Sequence, residues 1–190
     1  MAFSKRFYYF ILPTIFIANV GFLFYYAHLI PLHVDEAGFW FNWTNKSFLN
    51  RLFNENVSRS IYPPFHGLTI YLGKISLPIF GNNGIGLRFP VIFFGVSSSV
   101  LLYAFTKSIT GRVEIALLAA VLLFLNPFFS HYSHELRGYS SLFFFSLCSY
   151  FCLYKLIQGS NHGYHLSLLF LAFFGCYLSN MISPVFFFVF

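Results

Sequence analysis

The sequence predicts an all-α, polytopic transmembrane bundle, and three observations predict it. Of 190 residues, 58% are hydrophobic and 8% charged, with a mean hydropathy of +0.71. That leaves too few polar side chains to cover a soluble domain. Apolar runs near the roughly 20 residues needed to cross a bilayer recur along the chain. Apart from the adjacent Lys5 and Arg6, the 11 Lys and Arg stand singly at the ends of those runs and in the loops between them, so the net charge of +6 forms no cluster of the nucleic-acid-binding kind. Thirty Phe and 13 Tyr supply lipid-facing bulk and interfacial anchors.

The first run, Phe7 to Ile30, follows Lys5 and Arg6. It exceeds the roughly 7 to 15 residues of a signal-peptide core, and no small-x-small cleavage site follows it, so it reads as a retained anchor. Pro31 to Arg88 then forms a long loop with Phe39, Trp40, Phe41 and Trp43 near its start, a composition that holds it against the membrane. Tyr62-Pro63-Pro64 breaks any helix there, and the apolar stretch Phe65 to Ile79 is expected to lie in the interface. Gly81, Asn82, Asn83, Gly84 and Gly86 make a turn; with no strand before it, this is not a phosphate-binding loop.

Further spans are expected at 89–105, 113–129, 141–156 and 165–190, giving about five spans with interfacial helices in the loop between the first two. Ser97, Ser98, Ser99, Ser146 and Ser149 are compatible with spanning helices because they can bond backbone carbonyls or neighbouring helices. Cys148, Cys152 and Cys176 fall inside apolar runs and read as buried thiols. Residues 1–190 are expected to form one membrane domain, the N-terminal part of a longer protein, since Phe190 lies within an apolar run. Lys5 and Arg6 before the first span, against Asp35 and Glu36 after it, favour a cytoplasmic N-terminus and a non-cytoplasmic long loop.

The most informative feature is Asp35-Glu36, two of only five acidic residues, set just beyond the first span. Charge at a membrane edge is costly unless solvated or paired, so the pair marks either a site at the water–lipid boundary or a solvated helix end. Glu135 and Arg137 stand two apart and would not face each other on a regular helix; only a bent segment would join them. His33, His66, His131 and His134 fall on the same side without HExxH-like spacing. No metal is assigned; Asp35, Glu36 and one His holding a divalent cation is the alternative left open. Asn42, Asn45 and Asn56 open glycosylation sequons in the outer loop, triplets that also arise by chance.

The order Asp35-Glu36, Tyr62-Pro63-Pro64-Phe65, Phe80-Gly81, Gly86-Leu87-Arg88-Phe89-Pro90, Asn126-Pro127 and Ser133-His134-Glu135-Leu136-Arg137-Gly138-Tyr139 resembles the N-terminal part of GT-C membrane glycosyltransferases. Within that class it is most similar to the dolichyl-phosphate-mannose-protein mannosyltransferase and aminoarabinose transferase group. The resemblance implies inverting transfer of a sugar from a polyprenyl-phosphate donor to a lipid, glycan or protein acceptor on the non-cytoplasmic face. A weak hydroxyl nucleophile then needs a general base, for which the resemblance points to Asp35, with Glu36 beside it. An anionic lipid-phosphate leaving group needs cations at the membrane surface, and Arg88, Arg137 and Lys74 are the candidates. Glu135, Tyr62 and His66 are candidates for substrate binding. A bacterial inner membrane is expected rather than the endoplasmic reticulum. The alternatives from other classes are a transporter or flippase of lipid-linked sugars and a regulatory membrane subunit. Neither an internal repeat nor charge in the middle of a span supports the first of these.

Overall fold

A computed structural model describes residues 5–34, 36–37, 66–81 and 83–180, with side chains from residue 13 onward. Among these residues the chain is all-helical, with α1 (Lys5–Leu29), α2 (Gly67–Phe80), α3 (Gly84–Thr110), α4 (Val113–Leu125), α5 (Pro127–Tyr132), α6 (Tyr139–Ile157) and α7 (His162–Ser179). Helices α3 and α6 are long and apolar enough to cross a membrane; α2, α4 and the Pro13–Leu29 part of α1 are shorter apolar helices. The aromatic run Phe39 to Trp43, the sequons, the Tyr62-Pro63-Pro64 break and residues 181–190 lie outside the described residues.

The run expected to form one span at 113–129 is divided. Helix α4 stops at Leu125, and its 13 residues rise only about 20 Å, short of the ~30 Å hydrocarbon core. Pro127 is the cause, because a residue preceding proline is pushed out of the helical region. Asn126 is extended (φ −68°, ψ 116°), and its side chain caps α5 by accepting from Phe129 N at 3.1 Å.

Helix α3 is the central element, packed against α1, α2, α4 and α6. The glycine-asparagine turn leads into it as expected. Gly81 has φ +97°, and the Asn83 side chain accepts from Gly86 N at 2.8 Å as the N-cap. Pro90 inside α3 has no N–H to offer the Gly86 carbonyl four residues back. Ser76 of α2 donates its hydroxyl to that carbonyl. The buried face of α2 is therefore Thr69, Gly73 and Ser76, small side chains that let the backbones approach. A Cβ at Gly73 would sit 3.1 Å from Leu87 O.

On the opposite side of α3, Leu23 and Ala27 of α1 pack on Ile92 and Val96. Asn19 Nδ2 donates to Ser99 Oγ at 3.2 Å across the same contact. Helix α7 closes on α6 at Gly175, where a Cβ would lie 2.5 Å from the Phe145 ring. The faces turned outward are apolar, for example Leu122, Leu153, Phe170 and Leu171, as an apolar solvent requires.

Candidate functional site

The site is built where α1 ends. Pro31 cannot donate to the Ala27 carbonyl four residues back, so that carbonyl needs another partner. Arg88, in the second turn of α3, supplies one. Its Nη1 donates to Ala27 O at 2.9 Å and Ile30 O at 2.8 Å, its Nη2 to Pro31 O at 3.1 Å and to Glu36 Oε2, and its Nε to Glu36 Oε1 at 2.9 Å. All five N–H donors of the guanidinium are taken, and the residue is 0% exposed.

Glu36 is equally occupied. Besides Arg88, its Oε1 accepts from Leu136 N at 2.7 Å and its Oε2 from His33 N at 2.9 Å. Burial alone would raise its pKa. The Arg88 hydrogen bond and charge, with the N–H groups of Leu136 and His33, outweigh that and hold it below the ordinary carboxylate value. Below the pair, Leu87, Val91 and Leu136 form a buried apolar cluster flanked by Leu32, Ile70 and Leu77. A charge pair in such surroundings interacts strongly and is costly to break.

Leu136 belongs to the non-helical turn between α5 and α6, where Glu135, Arg137 and His66 also meet. Arg137 N donates to Glu135 O at 2.7 Å, which folds the backbone tightly enough to bring Arg137 Nε to 3.3 Å from Glu135 Oε2. The pairing that a regular helix forbids is made by the bend. Glu135 Oε1 also lies 3.1 Å from His131 Nε2. The Glu135 side chain is 10% exposed and that of Arg137 28%, so the cation reaches the surface while its carboxylate stays inside. His66, preceding α2, accepts from Gly138 N through Nδ1 at 3.0 Å and sets its ring against Tyr139. Only glycine fits at 138, because a Cβ would fall 2.1 Å from Ser179 O. Gly95 plays the same part under the turn, where a Cβ would be 2.6 Å from that of buried Ser133.

His134 was legible as one of four histidines on the outer side and as part of the Ser133–Tyr139 motif. Its Nδ1 lies 2.8 Å from Ser130 O, so that nitrogen carries the proton. Its Nε2 is buried with no hydrogen-bond partner. Burial is the main cause of a lowered pKa, assisted by the charges of His131 and Arg88 and opposed by Ser130 and Glu135. The ring is neutral at pH 7.

The structure thus gathers Glu36, Arg88, Glu135, Arg137 and His66 around one turn. All five N–H donors of Arg88 are directed to partners inside the protein. Both carboxylate oxygens of Glu36 are likewise engaged inside the protein. Lys74 lies on α2 with its ammonium 5.6 Å from the Tyr71 ring centre. Asp35 and Tyr62 lie outside the described residues. Among the described residues no three His, Cys, Asp or Glu side chains group as a metal site.

The family model for dolichyl-phosphate-mannose-protein mannosyltransferases matches residues 63–189. The chain belongs to this family. Its members are integral membrane proteins, and the two long apolar helices of this mannosyltransferase-family chain accord with that. The match takes in His66, Lys74, Arg88, Glu135 and Arg137, and begins after Asp35, Glu36 and Tyr62. No curated protein and no solved structure matches the chain.

Proposed function

We propose that this membrane glycosyltransferase moves a sugar from a polyprenyl-phosphate donor to an acceptor on the non-cytoplasmic face, in one inverting step. Asp35 takes the acceptor proton and Arg137 neutralises the departing lipid phosphate. The observation that carries this reading is the hydrogen bond from Leu136 N to Glu36 Oε1, which joins two motifs 100 residues apart. Asp35 adjoins Glu36 in the chain and Arg137 adjoins Leu136, which supports a shared locus for base and cation. Asp35 supplies the base that a weak hydroxyl nucleophile requires. Arg137 is half-buried, anchored by Glu135, and reaches the surface, as a phosphate ligand must.

Charge placement favours a surface transferase over a transporter. In the two long apolar helices the cations stand near the ends, Arg88 and Lys107 in α3 and Lys155 in α6, whereas a transporter needs them at the midplane. The five-span arrangement and a cytoplasmic N-terminus belong to the same proposal.

Arg137→Ala is expected to raise the donor KM about tenfold to a hundredfold, and Arg137→Lys less, if charge dominates over geometry. Equal loss in both would instead identify bidentate phosphate contact. Unchanged donor use in both would reduce Arg137 to an interfacial anchor and remove it from the site.

Sidedness has its own test. In a background with Cys148, Cys152 and Cys176 replaced by Ala, Asn45→Cys should react with a membrane-impermeant maleimide from outside, and Arg112→Cys should not. The reverse labelling would put the acidic pair in the cytosol and sink the proposal.

A further inference from the structure

Two observations set Arg88 and Glu36 apart from an ordinary buried ion pair. The first is that the pair has no spare capacity: every guanidinium N–H is bonded, and each carboxylate oxygen accepts twice. The second is what those bonds connect. One side holds the last carbonyls of α1, at Ala27, Ile30 and Pro31; the other holds the N–H of Leu136 in the Glu135–Arg137 turn. Arg88 itself stands on α3, the helix against which the rest packs. The end of the first helix, the acidic segment and the cationic turn are therefore registered to one rigid element through a single ion pair.

We propose that Arg88 and Glu36 are positioning residues for sugar transfer, fixing the acidic segment on the Glu135–Arg137 turn without touching either substrate. This rests on the transferase reading above. Asp35 adjoins Glu36 in the chain and Arg137 adjoins Leu136, so loss of the Glu36 carboxylate's bonds unties the acidic segment from the cationic turn. The guanidinium is suited to this because its five donors lie in one plane at set angles. An ammonium at the same place has three rotating donors and cannot hold a carboxylate and three carbonyls in one arrangement. The buried cluster of Leu87, Val91 and Leu136 excludes water that would otherwise compete for those bonds. A base displaced by about 1 Å from its acceptor loses on the order of 10²-fold in rate, whereas donor binding through Arg137, which Glu135 anchors within its own turn, is little affected. The signature of positioning is accordingly a fall in kcat at constant donor KM.

The test uses the full-length protein in membranes, with radiolabelled polyprenyl-phosphate mannose as donor and label transferred to membrane acceptors as readout. Rates are normalised to folded protein. Arg88→Lys keeps the charge and removes the planar fork; it should lower kcat about tenfold to a hundredfold, with the donor KM within about twofold of wild type. Amide exchange at Leu136 should accelerate while exchange along α3 stays slow. If Arg88→Lys does not fold, Glu36→Asp, which keeps both charges and shortens the carboxylate by one methylene, should give the same kinetic pattern. An unchanged kcat per folded molecule would make the pair a structural tie only and overturn the assignment. A raised donor KM at unchanged kcat would also overturn it, since that is how a direct phosphate ligand behaves. Wild-type protein that transfers nothing from this donor would remove the transferase reading, and the positioning role with it.

Discussion

Asp35→Asn in the full-length protein is expected to lower sugar transfer by at least ~10²-fold while leaving membrane insertion and donor binding near wild type. The substitution preserves size and hydrogen-bonding capacity and removes only the basic carboxylate. A solvated helix-end Asp would lose almost nothing by the same change. The neighbouring acid supplies a contrast of a different kind. Glu36 accepts four hydrogen bonds, so Glu36→Gln turns an NH2 group toward at least one existing N–H donor and perturbs the segment. Its defect should therefore appear in stability as well as rate, whereas that of Asp35→Asn should appear in rate alone. If Asp35→Asn transfers sugar at the wild-type rate, the general base lies elsewhere.

The second large effect is on folding. Arg88→Met leaves the Glu36 carboxylate buried without its counter-ion and strips Ala27 O of its donor. Breaking one partner of a buried pair costs about 3–5 kcal/mol. In detergent, the thermal midpoint should fall well beyond that of a control such as Arg112→Met at an exposed position. Adding Glu36→Leu should recover part of the loss, because it removes the stranded charge. A midpoint matching the control would mean that water reaches the pair. The pH dependence has a definite sign. The folded-state pKa of Glu36 is depressed, so its contribution is fully present above the ordinary carboxylate pKa of 4.5 and is lost as pH falls through the lowered value. Near neutral pH the pair should be insensitive to pH.

Much of this protein was legible in the chain because membrane helices are specified locally. Transfer of apolar side chains and internal satisfaction of backbone hydrogen bonds are properties of each segment by itself. Thus α1, α3 and α6 fall close to the expected runs at 7–30, 89–105 and 141–156, and the Gly81–Gly86 turn is where glycine and asparagine place it. The one expected span that the structure divides, at Asn126-Pro127, shows the same locality. The hydropathy of the run continues through the proline, but the proline's ring does not permit the helix to do so.

What the sequence by itself determined was the all-helical membrane class, the family resemblance, and the short list of charged and polar residues on which chemistry could rest. Only the tertiary structure decided which partners those residues find. Arg88 and Arg137 look alike in sequence, two arginines near the ends of apolar runs. One finds a carboxylate 52 residues away and three backbone carbonyls that leave it no free donor, and the other pairs within its own turn and reaches the surface. Hydropathy is summed along a segment and carries no information about such partners. A guanidinium's availability depends on which acceptors packing brings within about 3 Å of it, and here that was set by Pro31 leaving a carbonyl unpaired, by Ser76 and Gly73 drawing α2 onto α3, and by a bend that presents the Leu136 N–H to Glu36.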